Sequence, residues 1–213
     1  MIKKYSVLIC IVISVILMVI STLVYPGGSL LDKNSTGFQW SKNFISNLFA
    51  AKAINGSENS SRIWAIIGML FHSVGYGIFF LNMSKKISAR HAAAILKLTG
   101  AGNILFSFLI VTPLHDIMVT ISSTLFLIGL FYVTVFILKT KLHLLKFSCI
   151  ICLLTFYYTL YLYGAGNWGL LAIMQKVSFI SSMLLVLGIE YFTKLQDFKQ
   201  NKSLSQEYVS STK

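Results

Sequence analysis

The chain has 213 residues, of which 56% are hydrophobic and only 11% charged, and it carries a formal net charge of +12. Soluble globular proteins carry roughly a quarter charged residues, so an ordinary water-exposed domain is excluded and the long apolar runs read as membrane spans. The basic excess does not indicate nucleic acid, because Lys and Arg fall in alternate links and no basic face is interleaved with aromatics.

In chain order, Met1 to Lys4 is a basic leader and Tyr5 to Leu31 is uncharged. A signal peptide is the alternative reading, but Ser6 to Val24 is longer than an ordinary h-region and no A-x-A-like site precedes Tyr25. The first span is therefore placed at about 5–25, stopped by Pro26, Gly27 and Gly28. The outer loop, 26–61, opens with turn residues. Ser41 then precedes KNFISNLFAAKAI, where Phe44, Leu48 and Ala51 recur at helical spacing beside Ile45 and Phe49. With Phe38 and Trp40 as anchors, this predicts a short amphipathic helix lying in the headgroup region. Asn59, Ser60 or Ser61 is expected to cap the next helix.

Further spans are expected at about 62–82, 92–111, 113–138, 144–163 and 169–192. Thr112 is read as the cap of the fourth, with Pro113 at its first position. Residues 1–192 thus form one domain, an all-α six-helix transmembrane bundle, and 193–213 a polar tail expected to be disordered. Cys149 and Cys152 match C-x-x-C only literally and are read as buried apolar residues. Glu190 and Lys194 are read as an i,i+4 pair, and Tyr157, Tyr158, Tyr161 and Tyr163 as an aromatic belt. GAGN occurs at 100–103 and again at 164–167, a coincidence rather than a repeat.

Charge sets the orientation. Thirteen of the eighteen basic residues border one set of links: Lys3, Lys4, Lys85, Lys86, Arg90, Lys97, Lys139, Lys141, Lys146, Lys194, Lys199, Lys202 and Lys213. Lys33, Lys42, Lys52 and Arg62 border the other, and Lys176 lies within the sixth span. Both termini are therefore expected in the cytoplasm, in a bacterial inner membrane. Asn34, Asn55 and Asn59 head N-x-[ST] sequons on the outer side.

Polar groups inside lipid invite functional readings. His72 and Asn103 lie deep in the second and third spans, Gln175 and Lys176 in the outer half of the sixth, and His115 and Asp116 at the outer start of the fourth. Joined beneath the loop, His72, Asn103, Gln175, Lys176, Asn43 and Asn47 would line an outward-opening polar pocket, with Lys176 able to hold a lipid phosphate. His72, His115 and Asp116 also make a ligand set that suits zinc with one open position. Each has a plain structural role as well: an interhelical hydrogen bond for His72, snorkelling for Lys176, a helix-dipole contact for Asp116.

Tyr25-Pro26-Gly27-Gly28, then Asn43-Phe44-Ile45-Ser46-Asn47-Leu48, then the short link carrying Pro113 and His115, together resemble domain-of-unknown-function family 998. These are prokaryotic membrane proteins of about this length with six or so helices. The resemblance covers helices one to four best, implies the topology and assigns no activity; family-like sequences often carry an acid where this chain has Asn47. A fainter similarity is to the ceramidase-like membrane hydrolases, which hold zinc with intramembrane His and Asp. Their late-helix His pair has no counterpart here, since the sixth span contains no His.

Three functions follow in order of expectation. The first is a non-enzymatic protein binding a lipid or other amphiphile, with membrane lipids as its partners. The second is a metal-dependent lipid hydrolase, the one reading that needs zinc. The third is a small carrier, with Gly75–Gly77 and Gly100–Gly102 as candidate helix breaks.

Overall fold

A computed structural model describes residues 2–198. Among them the chain is all-helical. Six long helices are α1 (Ile2–Leu23), α2 (Arg62–Lys86), α3 (Arg90–Leu109), α4 (His115–Leu138), α5 (His143–Gly164) and α6 (Trp168–Phe192). Two short 3-10 turns, Ile45–Phe49 and Leu195–Phe198, complete the elements. The tail beyond Phe198, with Lys199, Lys202 and Lys213, lies outside the described residues, and so does the side chain of Lys3.

Five of the six helices are long and apolar enough to cross a membrane, α3 being the exception. Its Arg90, His91 and Lys97, with Thr99, Asn103 and Ser107, lower its hydropathy; the last three are buried against the bundle. Consecutive helices are neighbours, and α6 returns against α1 and α2 to close the bundle. Helix α2 is the hub, touching α1, α3, α6 and both 3-10 turns. The main core collects Phe79 and Phe80 of α2, Leu130, Val133 and Ile137 of α4, and Val186 and Ile189 of α6.

Small residues let α2 approach its neighbours closely, as packing between membrane helices favours. Gly75 lies against Cys10 and Ile11 of α1, and Gly77 against Ile104 and the Gly100 carbonyl of α3. Both helices run unbroken through these glycines. The breaks that a carrier would need are absent there, because the glycines serve close packing and keep the backbone hydrogen-bonded. The second GAGN has a different role: Gly166 takes a positive φ of 67° and Asn167 caps α6 by accepting from the Leu170 amide (3.2 Å).

Three local expectations are corrected. Helix α2 runs to Lys86, past the expected end at 82, because Met83 and Ser84 stay buried and the Lys86 ammonium donates to the Glu190 carbonyl (2.8 Å). Glu190 accordingly pairs with Lys86 (3.8 Å) and accepts from Asn82 (2.7 Å), rather than pairing with Lys194. Helix α4 begins at His115 with Leu114 as cap; Thr112 holds the preceding turn by donating to the Leu109 carbonyl (2.7 Å). The tyrosines of α5 are exposed as an aromatic belt requires, and Cys149 and Cys152 are buried and free.

A side chain at Gly77 has no room, whereas Gly169 faces open space. Gly77→Leu is expected to lower stability by about 1–3 kcal/mol, and Gly169→Leu by no more than about 0.5 kcal/mol, as read by thermal unfolding in detergent.

Candidate functional site

The outer loop is not an amphipathic helix on the membrane surface. Only Ile45–Phe49 is helical, as one 3-10 turn, and Ile45, Leu48 and Phe49 are buried. They pack on Met18 of α1, Ala65 and Met69 of α2, and Ile110 and Val111 after α3. Of the apolar residues read as one lipid-facing stripe, Ile45, Leu48 and Phe49 point into the bundle, Phe44 is half-buried and Ala51 is exposed, so the loop plugs this end of the bundle.

A backbone that leaves helical geometry within a bundle must find its hydrogen bonds in side chains. The loop's Asn residues supply them. Asn43, 0% exposed, accepts from the Gln39 amide (2.9 Å) and donates to the Gly28 carbonyl (2.7 Å). Asn47 accepts from the Phe44 amide (2.7 Å) and, more loosely, from Asn43 (3.4 Å). Asn59 donates to the carbonyls of Asn47, Leu48 and Ala50, and accepts from both the amide and the hydroxyl of Ser61. Gly27 and Gly28, at φ of 141° and 85°, let the chain turn back on itself so that Asn43 reaches Gly28. Tyr25 closes the base, its phenol oxygen accepting from the Ile54 amide (3.1 Å) and its ring edge-on to Phe38 (5.9 Å). Burial pushes its phenol above the ordinary value.

Helix α6 fastens this plug. Gln175 accepts from the Ile45 amide (2.8 Å), and the Lys176 ammonium donates to the Asn43 carbonyl (2.6 Å) and to the Ala172 carbonyl. Lys176 is only 7% exposed, with the Phe38 ring 5.8 Å from its nitrogen. Among the described residues the one ion pair is Lys86–Glu190, so Lys176 has no carboxylate partner there. The Lys176 side chain is folded under the loop, as the pocket reading has it, and the snorkelling alternative does not hold. Gln39, whose main chain bonds Asn43, has its Oε1 buried without a hydrogen-bond partner.

Four of the six pocket candidates, Asn43, Asn47, Gln175 and Lys176, therefore meet. His72, on α2, packs against α6 about one turn past Lys176, stacked on Phe179 (4.4 Å) and tilted against Tyr76 of its own helix (4.1 Å). It is 7% exposed, and its Nδ1 is buried without a partner. Asn103 does not join the site: it donates to the Thr99 carbonyl (2.9 Å) and accepts from Ser107 (3.2 Å), all within α3.

The zinc set is not assembled. His115 is tied by Nδ1 to the Ile110 carbonyl (2.9 Å), Asp116 is exposed, and His72 is enclosed by aromatic rings. No group of three His, Cys, Asp or Glu suited to a metal ion exists among the described residues. A groove of about 260 Å³ lies elsewhere, on the flank of α4 and α5, lined by Thr124, Leu127, Ile128, Phe131, Tyr132 and Tyr157. Comparison with protein-family models, curated proteins and solved structures gave no match.

Sequence reasoning missed Phe38, Gln39 and Asn59 as parts of the site. The Asn43–Asn47 spacing was a usable signal; Asn59 was masked by its sequon, which its burial removes from the surface while Asn34 and Asn55 stay exposed. Asn59→Ala strands three carbonyls and is expected to cost about 1–3 kcal/mol. Asn55→Ala, in an exposed turn, is expected to change stability by no more than about 0.5 kcal/mol. Chemical unfolding of the two variants distinguishes them.

Proposed function

We propose that this chain is a six-span membrane protein, both termini cytoplasmic, that binds a lipid or other amphiphile at the outer end of its bundle. The observation that carries the reading is the meeting of Asn43, Asn47, Gln175 and Lys176, drawn from regions about 130 residues apart, around a buried cation without a carboxylate partner. Gln39 Oε1, on the loop segment bonded to Asn43, and His72 Nδ1, on α2 against Phe179, are also buried without hydrogen-bond partners. Buried polar groups are as a rule satisfied, so this unused capacity on the loop and on the helices beside it favours a ligand. A headgroup would take up the polar capacity and its tails would lie along the apolar flanks of the bundle. Among the described residues no comparable cluster of groups supports hydrolysis or transport.

Helix α3 belongs among the spans in this reading. It lies between α2 and α4, its 20 residues reach about 30 Å, and exposed Lys97 can extend its ammonium toward the basic end. Lys85, Lys86, Arg90, Lys139 and Lys141 gather at the helix ends opposite the loop, which supports a cytoplasmic placement of that end. The resemblance to domain-of-unknown-function family 998 is retained as part of the proposal. Its motifs touch: Asn43 bonds Gly28, and Ile110 and Val111, just before Pro113, pack on the same plug.

Protein purified in a mild nonionic detergent should retain about one amphiphile per chain by native mass spectrometry; a chain that carries none, and that added lipid does not stabilise, would overturn the reading. For orientation, Trp40→Cys should react with an impermeant maleimide on intact cells and Lys141→Cys only after lysis, since Cys10, Cys149 and Cys152 are buried. The reverse pattern would invert the topology.

A further inference from the structure

Resting on the amphiphile reading, we infer that the ligand is anionic and that the Lys176 ammonium is the group that recognises its phosphate or carboxylate oxygen. A buried ammonium has three donors, and removing it from water is costly unless a charge or several hydrogen bonds compensate. Lys176 has two carbonyl acceptors, those of Asn43 and Ala172, and an aromatic face, Phe38. The five acidic residues of the described chain are Asp32, Glu58, Asp116, Glu190 and Asp197, and none forms an ion pair with it.

If this residue only fastened the loop, a neutral donor would serve, as the Asn59 side-chain amide shows in donating to the carbonyls of Asn47, Leu48 and Ala50. A charged group where a neutral one suffices is the signature of a charged counterpart. Depth agrees with an amphiphile as its source. Lys176 lies about eight residues past Trp168, roughly 12 Å along the helix, within reach of a headgroup drawn slightly below the interface. The Asn43 carbonyl then holds the place of the ligand oxygen. On binding, an anionic oxygen accepts the ammonium hydrogen bond now given to the Asn43 carbonyl, the proton staying on nitrogen, and the Gln175–Ile45 bond keeps the loop attached. Charge-assisted hydrogen bonds are roughly twice as strong as neutral ones, which gives the exchange its direction.

The test titrates the full chain, in nonionic detergent, with phosphatidylglycerol, with phosphatidylcholine of the same acyl chains, and with inorganic phosphate alone, reading thermal unfolding. The expected result is half-saturation at a concentration at least tenfold lower for phosphatidylglycerol than for phosphatidylcholine. Inorganic phosphate should give no shift at the same concentrations. Lys176→Gln should erase the tenfold preference and Lys176→Arg should keep most of it. Because removing the lysine can also loosen the loop, Phe38→Glu provides a second variant: it places a carboxylate beside an intact Lys176 and should abolish the preference by internal competition.

Equal stabilisation by both lipids overturns the anionic inference and leaves the amphiphile reading standing. Stabilisation by neither lipid overturns both. Stabilisation by inorganic phosphate as strong as by the lipid overturns the lipid source. A preference that persists unchanged in both Lys176→Gln and Phe38→Glu overturns the role of Lys176.

Discussion

The loop end of this molecule depends on one constraint: main chain that leaves helical geometry inside an apolar bundle cannot leave its N–H and C=O groups unpaired. Residues 38–61 meet it with amide side chains. Asn59 serves three carbonyls, Asn43 joins two loop segments across Gly28, and Gln175 reaches over from α6 to the Ile45 amide. The apolar side chains of the 3-10 turn can then face inward, and Leu48 is fully buried among α1 and α2 residues. Polar satisfaction and apolar burial reinforce each other here: without the first, the second would trap unpaired backbone.

The same architecture fixes where the plug sits. Helices α1, α2 and α3 are held close by small residues, Gly75 on α1 and Gly77 against Gly100, and α2 carries contacts to almost every other element. By contrast α5 buries only Leu145, Cys149, Cys152 and Leu162 and turns its tyrosines outward. The tight half supplies a closely packed wall, and the plug rests on one end of it. Lys176 sits at the join between plug and α6, a cation held away from water by chain from elsewhere. The opposite end is fastened separately, by Glu190 with Lys86 and Asn82 and by Phe198 packed into the main core.

The helices were legible because their signal is long-range in composition: an uninterrupted apolar run of twenty residues has few other stable solutions beside lipid. Their ends were legible to within a few residues, and the departures have local causes, such as Lys86 reaching Glu190 and so prolonging α2. The loop was misread because Phe44, Leu48 and Ala51 at helical spacing are equally compatible with a short turn whose neighbours Ile45 and Phe49 point inward. Spacing alone does not say what an apolar stripe faces. Residue type was the better guide for Asn43, Asn47, Gln175 and Lys176, polar groups with no reason to be in apolar surroundings unless they meet one another. The same logic failed for Asn103, which finds its partners one turn away in α3, and for His115 and Asp116, which stay at the helix end.

The account stands on the loop being folded down onto α6, and amide hydrogen exchange of the lipid-embedded protein tests that directly. The Ile45 amide, bonded to Gln175, and the Phe44 amide, bonded to Asn47, should exchange far more slowly than those of Gly56 and Ser57 in the exposed turn. Equal, fast exchange across all four would contradict it: the plug, the clasp at Lys176 and the site built on them would then have no basis.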